Sequence, residues 1–450
     1  MATGLRSDGG QSEGNAAVRN AVESEGAGDR TAAAPVPLRR NSGFRLLWIG
    51  QVVSDTGTNV ALIAYPLLIL ALTHSAVMAG IVGTVRLVAQ IVLGLPGGAL
   101  SDRFDRRLVM IACDSLRAAV LVLLAALVLA HMVSWPVVMV VSVIDGGANV
   151  LFDPSANAAL PAIVDDSQLE QAFAATEARA YAASLVGPAL GGLLFGLGSA
   201  VPFAGDALSY LVSAGTVSRI RGRFRPGRPD ERKSLTHEVS EGLRLVWRSP
   251  LLRGAVLLAP LINFAFNGVI FTITVALRQH GIAPAVIGLA QAGIAVGGLV
   301  GAVIAPRLQA RLPMWQLAIV LTVAATALFV VAALVLPSPL VAVPVAISVL
   351  LGPAVNAALI GAMLRIAPEE MRGRVTSTMI TVATGLAALS PLTAGLLLQH
   401  VSGPWAIGAF AVAMGVAAIM CIALPWLRDA EAAVAAGTDP VTAEPGGASG

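Results

Sequence analysis

Twelve long apolar stretches constrain this 450-residue chain more than any other feature of its sequence. A helix needs ~20 apolar residues to cross a bilayer, and the stretches are of about that length. The chain is 56% hydrophobic and only 12% charged, whereas soluble domains carry about 25% charged residues. We therefore predict an all-α membrane protein. Its twelve transmembrane helices are expected at residues 45–71, 76–98, 108–131, 135–158, 171–197, 200–218, 252–276, 284–306, 314–335, 339–363, 375–399 and 404–427.

The two halves of the chain repeat each other weakly at an offset of 203 residues (391 − 188 = 203). Residues 98–102 correspond to 301–305, and residues 187–192 correspond to 390–395. Parallel repeats of this size are an architecture of secondary transporters. We predict two six-helix halves, which occupy residues 44–219 and 252–428.

Three further segments are polar. Residues 1–43 and 429–450 lack any apolar period and are predicted to be disordered tails. Residues 220–251 are strongly basic and are interpreted as the linker between the halves. Binding of nucleic acid or anionic lipid by this linker is the alternative interpretation.

The distribution of arginine predicts the orientation in the membrane. Basic clusters at 103–107, 219–233, 307–311 and 372–374 fall in alternate loops, and the opposite loops hold essentially Arg278 alone. By the positive-inside rule both termini are cytoplasmic. Arginine is used almost to the exclusion of lysine and alanine is abundant, which favours a bacterial cell membrane as the location.

The sequence offers no sign of enzyme chemistry. It has no metal-ligand spacing, no phosphate-binding Walker loop and no recognisable nucleophile–base pair. We expect no enzyme activity, no cofactor, no metal and no nucleic-acid partner. The expected partners are a small-molecule cargo, protons and the lipid bilayer, and the protein is expected to be a monomer.

Two motifs carry a family resemblance. The loop at 98–107 reads GALSDRFDRR, which resembles the signature G-x-x-x-D-R-x-G-R-R of the major facilitator superfamily. It matches at Gly98, Asp102, Arg103, Arg106 and Arg107, and differs at Asp105, where the family has Gly. The fifth stretch is similar to the motif of the superfamily's antiporters at Gly187, Pro188, Gly191 and Gly192, with Ala183 in place of the first Gly.

Shorter stretches resemble the enterobactin-exporter and macrolide-efflux branch; they lie at 72–75, 144–146, 249–251 and 368–375. The resemblance implies the major facilitator fold and drug:proton antiport. It also implies that spans 1, 4, 7 and 10 line a central cavity.

The signature loop suggests a gate. Opposite Asp102, across the halves, would lie the N-terminus of span 11, whose partial positive charge stabilises a carboxylate by ~0.3–1 kcal/mol. Arg103, Arg106 and Arg374 can add charge-assisted hydrogen bonds that close the cytoplasmic side. In the alternative interpretation, Arg106 and Arg107 are topology signals only.

Acidic residues within the predicted spans are the sharpest functional signal, because ionisable groups at a helix centre cost ~2.5–3.5 kcal/mol on insertion scales. Six lie in the first half and none within the spans of the second; they are Asp55, Asp114, Asp145, Asp153, Glu177 and Asp206. Asp145 and then Asp55 lie at mid-span and are our candidate proton carriers, with Glu177 next. Asp153 and Asp206 lie toward span ends, where solvation or capping is expected.

Three arginines within the spans need partners. Asp114 and Arg117 stand three residues apart on one helical face and are expected to pair. Arg86 and Arg179 could be partnered by Asp55, Asp145 or Glu177. A paired acid is harder to protonate than a lone acid.

Amides and aromatic rings of the second half are candidates to line the cavity. They are Asn263, Phe264, Phe266, Asn267 and Asn356. An uncharged lining of this kind suits a bulky, mostly apolar cargo. Helix–helix packing is the alternative for each of these residues.

The sequence thus predicts export of a small organic molecule, such as an antibiotic or siderophore, against proton entry. Alternatives are a proton-coupled importer of the same fold and a non-transporting membrane sensor or lipid-moving protein.

Overall fold

A computed structural model describes residues 37–101, 104–220, 249–366 and 372–423, together with the single positions 244 and 247. Most of the predicted N-terminal tail, the C-terminal tail and nearly all of the basic linker lie outside these residues. Residues 37–43, which were predicted to be disordered, instead form a turn and the start of α1, with Leu38 buried and Asn41 as the N-cap. The described part of the first half forms α1 (Ser42–Thr73), α2 (Ala76–Ser101), α3 (Arg106–Leu129), α4 (Trp135–Ala159), α5 (Leu169–Leu197) and α6 (Val201–Arg219). The described part of the second half forms α7 (Pro250–Gln279), α8 (Pro284–Gln309), α9 (Met314–Val335), α10 (Ala342–Val349), α11 (Gly352–Ile366), α12 (Arg372–Gly385), α13 (Ser390–His400) and α14 (Gly403–Ala423).

These helices account for the twelve predicted spans, so the all-α membrane fold is confirmed. Eleven described segments are long and apolar enough to cross a membrane. The remaining span is the sixth along the chain, α6. It is only 19 residues long and carries an acid and several hydroxyl groups. Its buried polar residues are Asp206, Ser209, Tyr210, Ser213 and Thr216. The span that is short and weakly apolar is therefore also one with many polar groups to satisfy inside the bundle.

Two spans of the second half are broken. Span 10 consists of α10 and α11, and span 11 consists of α12 and α13 with a short 3₁₀ segment, Ala387–Leu389, before α13. A helix that starts anew leaves N–H groups without an intrahelical acceptor. At α13 one of them is satisfied by the first half, because Leu392 donates its N–H to Thr84 Oγ1 at 3.0 Å.

The helix ends form two sides of the bundle. One side has connections of only two to six residues, for example between α1 and α2, and we call it the short-loop end. The other carries Arg106, Arg107, Arg219, Arg307 and Arg311, and we call it the basic end.

The two halves cross each other closely at two places near the short-loop end. A Cβ on Gly192 of α5 would lie 2.2 Å from the carbonyl oxygen of Pro284, and one on Gly288 of α8 would lie 2.4 Å from that of Pro188. The second crossing, between α2 and α13, repeats this arrangement. There the hypothetical Cβ atoms of Gly80 and Gly395 would lie 2.4 Å and 2.5 Å from the carbonyl oxygens of Pro391 and Ala76. Only glycine permits these backbone approaches.

The hydrophobic core follows the same division. At the short-loop end one continuous cluster includes residues of both halves, such as Leu67, Phe203, Ile273 and Phe329. Toward the basic end the described core residues separate into one cluster from the first half and several from the second. The halves are therefore joined by packing at the short-loop end.

Candidate functional site: a buried charge network

Asp145 lies at the centre of a buried charge network in the first half. Its side chain has no solvent exposure, and α4 places it opposite two arginines. Arg117 Nε donates to Oδ1 at 2.9 Å, and Arg86 Nη2 donates to Oδ2 at 3.5 Å. The hydroxyls of Tyr65 and Tyr210 donate to the two carboxylate oxygens, each at 3.3 Å. Four donors from α1, α2, α3 and α6 thus hold this one carboxylate.

Arg117 connects Asp145 to the rest of the network. Besides its bond to Asp145, its guanidinium donates to Asn149 Oδ1 at 3.0 Å and to Thr58 Oγ1 at 3.1 Å. A further donor contacts the hydroxyl of Tyr210, and the guanidinium carbon lies 3.9 Å from the centroid of that tyrosine ring. Because every nitrogen of Arg117 has a partner, its charge is well compensated despite its burial.

Asn149 extends the network along α4 to an exposed acid. Its amide donates to Asp153 Oδ2 at 3.1 Å, one helical turn nearer the basic end. Asp153 is exposed, as the expectation of a solvated role requires. A path of polar side chains therefore runs from the buried Asp145 through Arg117 and Asn149 to an accessible carboxylate.

Asp55 forms a separate ion pair. Arg179 Nη1 of α5 lies 3.0 Å from Asp55 Oδ2 of α1. The Asp55 side chain is 29% exposed, whereas that of Arg179 is 8% exposed. Glu177 is exposed on α5, two residues before Arg179. Asp55 is thus accessible where Asp145 is enclosed.

Two expectations for the acids need correction. Arg117 pairs with Asp145, so the expected Asp114–Arg117 pair does not form, and both Asp114 oxygens are buried without a hydrogen-bond partner. Asp206 was expected to be solvated or to cap a helix, but it is completely buried, and its Oδ2 lacks a partner. Spacing along one helix could not reveal that a neighbouring helix offers Arg117 a better acceptor.

The gate residues are described only in part. Asp102 and Arg103 lie outside the described residues, and Gly98 and Arg374 are described only as backbone positions of α2 and α12. The two remaining arginines bind within the first half. Arg106 Nη1 donates to the carbonyl of Ala158 at 2.7 Å, and Arg107 donates to the carbonyl of Ser218. Both carbonyls belong to the last turns of helices, where acceptors are left over and cations are favourable.

The antiporter-like motif packs α5 against two helices at once. A Cβ on Gly187 would lie 2.3 Å from Asn59 Cβ, and one on Gly191 would lie 2.7 Å from the carbonyl oxygen of Val60, so both face α1. Pro188 and Gly192 face α8 at the first crossing between the halves. The motif therefore packs α5 closely against α1 of its own half and against α8 of the second half.

The cavity candidates of the second half separate into two groups. Phe264 packs on Phe410 of α14 and Phe266 on Phe329 of α9, with ring centroids 5.3 Å and 5.2 Å apart. Asn263 donates to the carbonyl of Ala383 at 3.1 Å, at the end of α12 where span 11 breaks. These three side chains thus contact neighbouring helices of the second half.

Asn267 and Asn356 are exposed on α7 and α11. Asn267 uses its amide nitrogen within its own helix, where it donates to the carbonyl of Asn263 at 2.8 Å. These two amides remain the candidates to face a cargo.

Sequence reasoning missed Tyr65, Tyr210, Thr58 and Asn149. A signal existed for the tyrosines: the chain has only three, and two of them contact Asp145. A tyrosine hydroxyl within an apolar span needs a partner. The scarcity of tyrosine could therefore have directed attention to these two positions.

Known proteins are similar to this chain along most of its length. The family model described as Major Facilitator Superfamily matches residues 47–391. The protein called "Multidrug efflux pump Tap" of Mycolicibacterium fortuitum is 27% identical over 405 residues, which cover 86% of this chain and 97% of that protein. The "Enterobactin exporter EntS" of Citrobacter koseri is 28% identical over 270 residues, or 59% of this chain and 63% of that protein.

Solved structures share the fold at low identity. The nucleoside transporter NupG aligns with a TM-score of 0.67 and 13% identity, over 85% of this chain and 98% of that one. A bacterial homologue of the human lysosomal transporter Spinster aligns with a TM-score of 0.63 and 15% identity, over 90% and 98% of the two chains.

Proposed function

Because this chain belongs to the Major Facilitator Superfamily, we propose that it exports a small organic molecule in exchange for protons, by alternating access. The observation that carries the proposal is the buried charge network around Asp145. All three ion pairs among the described residues lie in the first half, and the described part of the second half contains no Asp or Glu. Buried ionisable groups inside a membrane protein are functional by default.

The direction of transport is supported by the relatives, whose names describe multidrug efflux and enterobactin export. The antiporter-like motif on α5 supports the same direction. Export of a drug, an antibiotic or a siderophore-like metabolite fits the two exposed amides, Asn267 and Asn356, which offer hydrogen bonds without charge.

Alternating access is supported by the asymmetric packing of the two halves. One hydrophobic cluster joins them at the short-loop end, and separate clusters fill them toward the basic end. Rocking about the glycine crossings would open the short-loop end and close the basic end. Asp102, Arg103 and Arg374 would then form the gate at the basic end, with Gly98, Arg106 and Arg107 as its supports.

Asp145 and Asp55 are the proposed coupling acids, with Glu177 as the third candidate. Asp55 is the accessible one, and Arg179 is its ion-pair partner. Asp145 can take up a proton only after Arg117 has moved away, because both of its oxygens are occupied in this conformation. Proton binding and movement of Arg117 are therefore linked at this site.

The test is transport by purified protein in proteoliposomes, with ethidium and doxorubicin as probe cargoes. An imposed pH gradient should drive each probe against the direction of proton flow, and an ionophore that collapses the gradient should stop it. Asp145→Asn and Asp55→Asn should each reduce gradient-driven movement, and downhill exchange of probe should persist. Probe movement together with protons would indicate an importer, and movement indifferent to the gradient would overturn proton coupling.

The gate has its own test. Asp102→Asn should slow gradient-driven transport sharply and leave membrane insertion intact, because an amide cannot supply the charge that a helix N-terminus stabilises. Transport at the wild-type rate by a stably inserted Asp102→Asn protein would contradict this role.

Location and orientation complete the proposal. The arginines of the basic end support a cytoplasmic location for that side in a bacterial cell, with both termini inside. Arg311 and Trp405 are exposed at opposite ends of the bundle. A cysteine introduced at Arg311 should react with an impermeant maleimide only from inside the cell. A cysteine introduced at Trp405 should react only from outside. The reverse pattern would invert the orientation.

A further inference from the structure

A buried polar seam runs along α6, behind the Asp145 network. Its buried polar side chains recur every three or four residues, so they share one face of the helix; they are Asp206, Ser209, Tyr210, Ser213 and Thr216. This face of α6 packs against glycines of α1, which leave room for its side chains. A Cβ on Gly57 would lie 2.3 Å from Asp206 Oδ1, and one on Gly50 would lie 2.2 Å from Thr216 Oγ1. The seam is closed by backbone, with no room for an additional side chain.

Asp206 is the unusual member of this seam. It is completely buried, its Oδ1 accepts a hydrogen bond from Ser209 at 3.1 Å, and its Oδ2 has no partner. It forms no ion pair with any described residue. An ionised carboxylate without a direct cationic partner is costly to bury, whereas a neutral carboxylic acid requires no cation.

The surroundings of Asp206 nevertheless favour ionisation in part. The charged groups that act on it are Arg117 of α3 and Asp145 of α4. The other polar groups around it are Tyr65 of α1 and Ser209 and Tyr210 of its own helix. Arg86 and Arg117 bring two positive charges, and Asp145 balances only one of them. Ionisation of Asp206 would make this cluster neutral, so movement of Arg117 toward Asp206 would favour loss of its proton.

We propose that Asp206 is a second proton-binding site, which holds a proton in this conformation and exchanges it with Asp145 as Arg117 moves from one carboxylate to the other. This inference rests on the proposed proton coupling and specifies where the proton resides. It separates the proton from the cargo, because Asp206 lies in the α1–α3–α6 seam and has no exposed surface.

Tyr210 is placed to pass the proton. It follows Asp206 by one helical turn, and its hydroxyl donates to Asp145 Oδ1 at 3.3 Å. In the exchange, Tyr210 gives its hydroxyl proton to Asp145 and receives the carboxyl proton of Asp206. Two O–H bonds break and two form, Asp145 becomes neutral, and Asp206 becomes the anion. Arg117 moves from Asp145 to Asp206 as this exchange begins, so that Asp145 is free to take up the proton and the anion formed at Asp206 gains a cationic partner.

Infrared spectroscopy tests the site without any cargo. Detergent-purified wild-type protein at neutral pH should show the C=O stretch of a buried carboxylic acid. Asp206→Asn should lose one such band. A matched control is Asp114→Asn, since Asp114 is also completely buried without a hydrogen-bond partner. That variant should leave the Asp206 band in place. An unchanged spectrum in Asp206→Asn, or loss of the same band in Asp114→Asn, would overturn the proposal.

A milder variant covers the case in which Asp206→Asn does not fold. Ser209→Ala removes the hydroxyl that donates to Asp206 Oδ1. It should shift the same band to higher frequency, because a C=O group that loses a hydrogen bond stretches at higher frequency. A band unaffected by Ser209→Ala would count against the assignment.

Transport distinguishes this inference from the proposed function. Asp206→Asn should lose gradient-driven movement of ethidium in proteoliposomes and retain downhill exchange. If the wild type transports against a proton gradient and Asp206→Asn does so equally well, proton coupling stands and this site falls. If the infrared band belongs to Asp206 but wild-type transport ignores the gradient, the proposed coupling falls and Asp206 remains a proton-binding group.

Discussion

The two halves share their backbone design and differ in chemistry. Each contributes one Pro-x-x-x-Gly segment to a crossing with the other, at Pro188–Gly192 and at Pro391–Gly395. The first half adds to this frame the ion pairs of Asp145 with Arg86 and Arg117 and of Asp55 with Arg179. The second half instead has spans 10 and 11 broken into shorter helices. Because the crossings depend on backbone atoms and glycine alone, the other side chains of each half can differ without changing the way the halves cross.

The polar groups are satisfied in different ways in the two halves. In the first half, side chains satisfy each other, as Arg117, Asp145 and Tyr210 do. In the second half, amide side chains satisfy backbone and hydroxyl groups. Asn263 caps the end of α12, and Gln291 donates to the carbonyl of Ile270 and to Thr274 Oγ1. The first arrangement brings charged groups together, whereas the second fixes the positions of helices.

The largest effect is expected from Arg117→Ala. Removal of one partner of a buried ion pair typically costs about 3–5 kcal/mol, and this change also leaves Asn149 and Thr58 without their donor. Thermal unfolding in detergent should show a large loss of stability, and transport should be abolished. The matched change is Arg311→Ala at the exposed basic end of the second half, which should have little effect on stability. Equal melting temperatures for the two variants would show that the buried charge network of the first half contributes no more to stability than an exposed arginine of the second half.

A medium effect is expected at the crossings. Gly192→Ala and Gly395→Ala would each place a methyl group within 2.5 Å of a carbonyl oxygen of the other half. Overpacking of this kind typically costs about 1–3 kcal/mol. Distances between spin labels should show the short-loop end opening in both variants to a similar extent.

Gly196→Ala is the control for both crossing variants, because no atom lies within 4 Å of its hypothetical Cβ. If only one of the two variants opened the short-loop end, the two crossings would differ in how strongly they hold the halves together, despite their similar sequences.

The smallest effect is expected from the amides. Asn263→Ala removes one hydrogen bond between α7 and α12, and such bonds are worth about 0.6 kcal/mol on average inside membrane proteins. It should slightly lower thermal stability. Asn356→Ala, at an exposed position, should leave stability unchanged and alter the apparent affinity for ethidium or doxorubicin instead. The opposite outcome would exchange the structural and cargo-binding roles of these residues.

The sequence by itself determined the fold, the number of spans and the family. Spans are recognisable because a bilayer requires long apolar helices, and the motifs at 98–107 and 187–192 carry the family resemblance. It also located the acids in one half, because their absence from the spans of the other half is visible without a structure.

Only the tertiary structure decided which charges meet. Asp114 and Arg117 share a helical face, yet Arg117 pairs with Asp145. A guanidinium has several N–H donors in a fixed arrangement, and in the folded protein these donors meet acceptors on neighbouring helices. Burial of Asp206 was likewise beyond the sequence, since distance from a helix end does not reveal which neighbour covers it. Gly57 of α1 covers Asp206, and that contact between distant segments depends on how the helices pack.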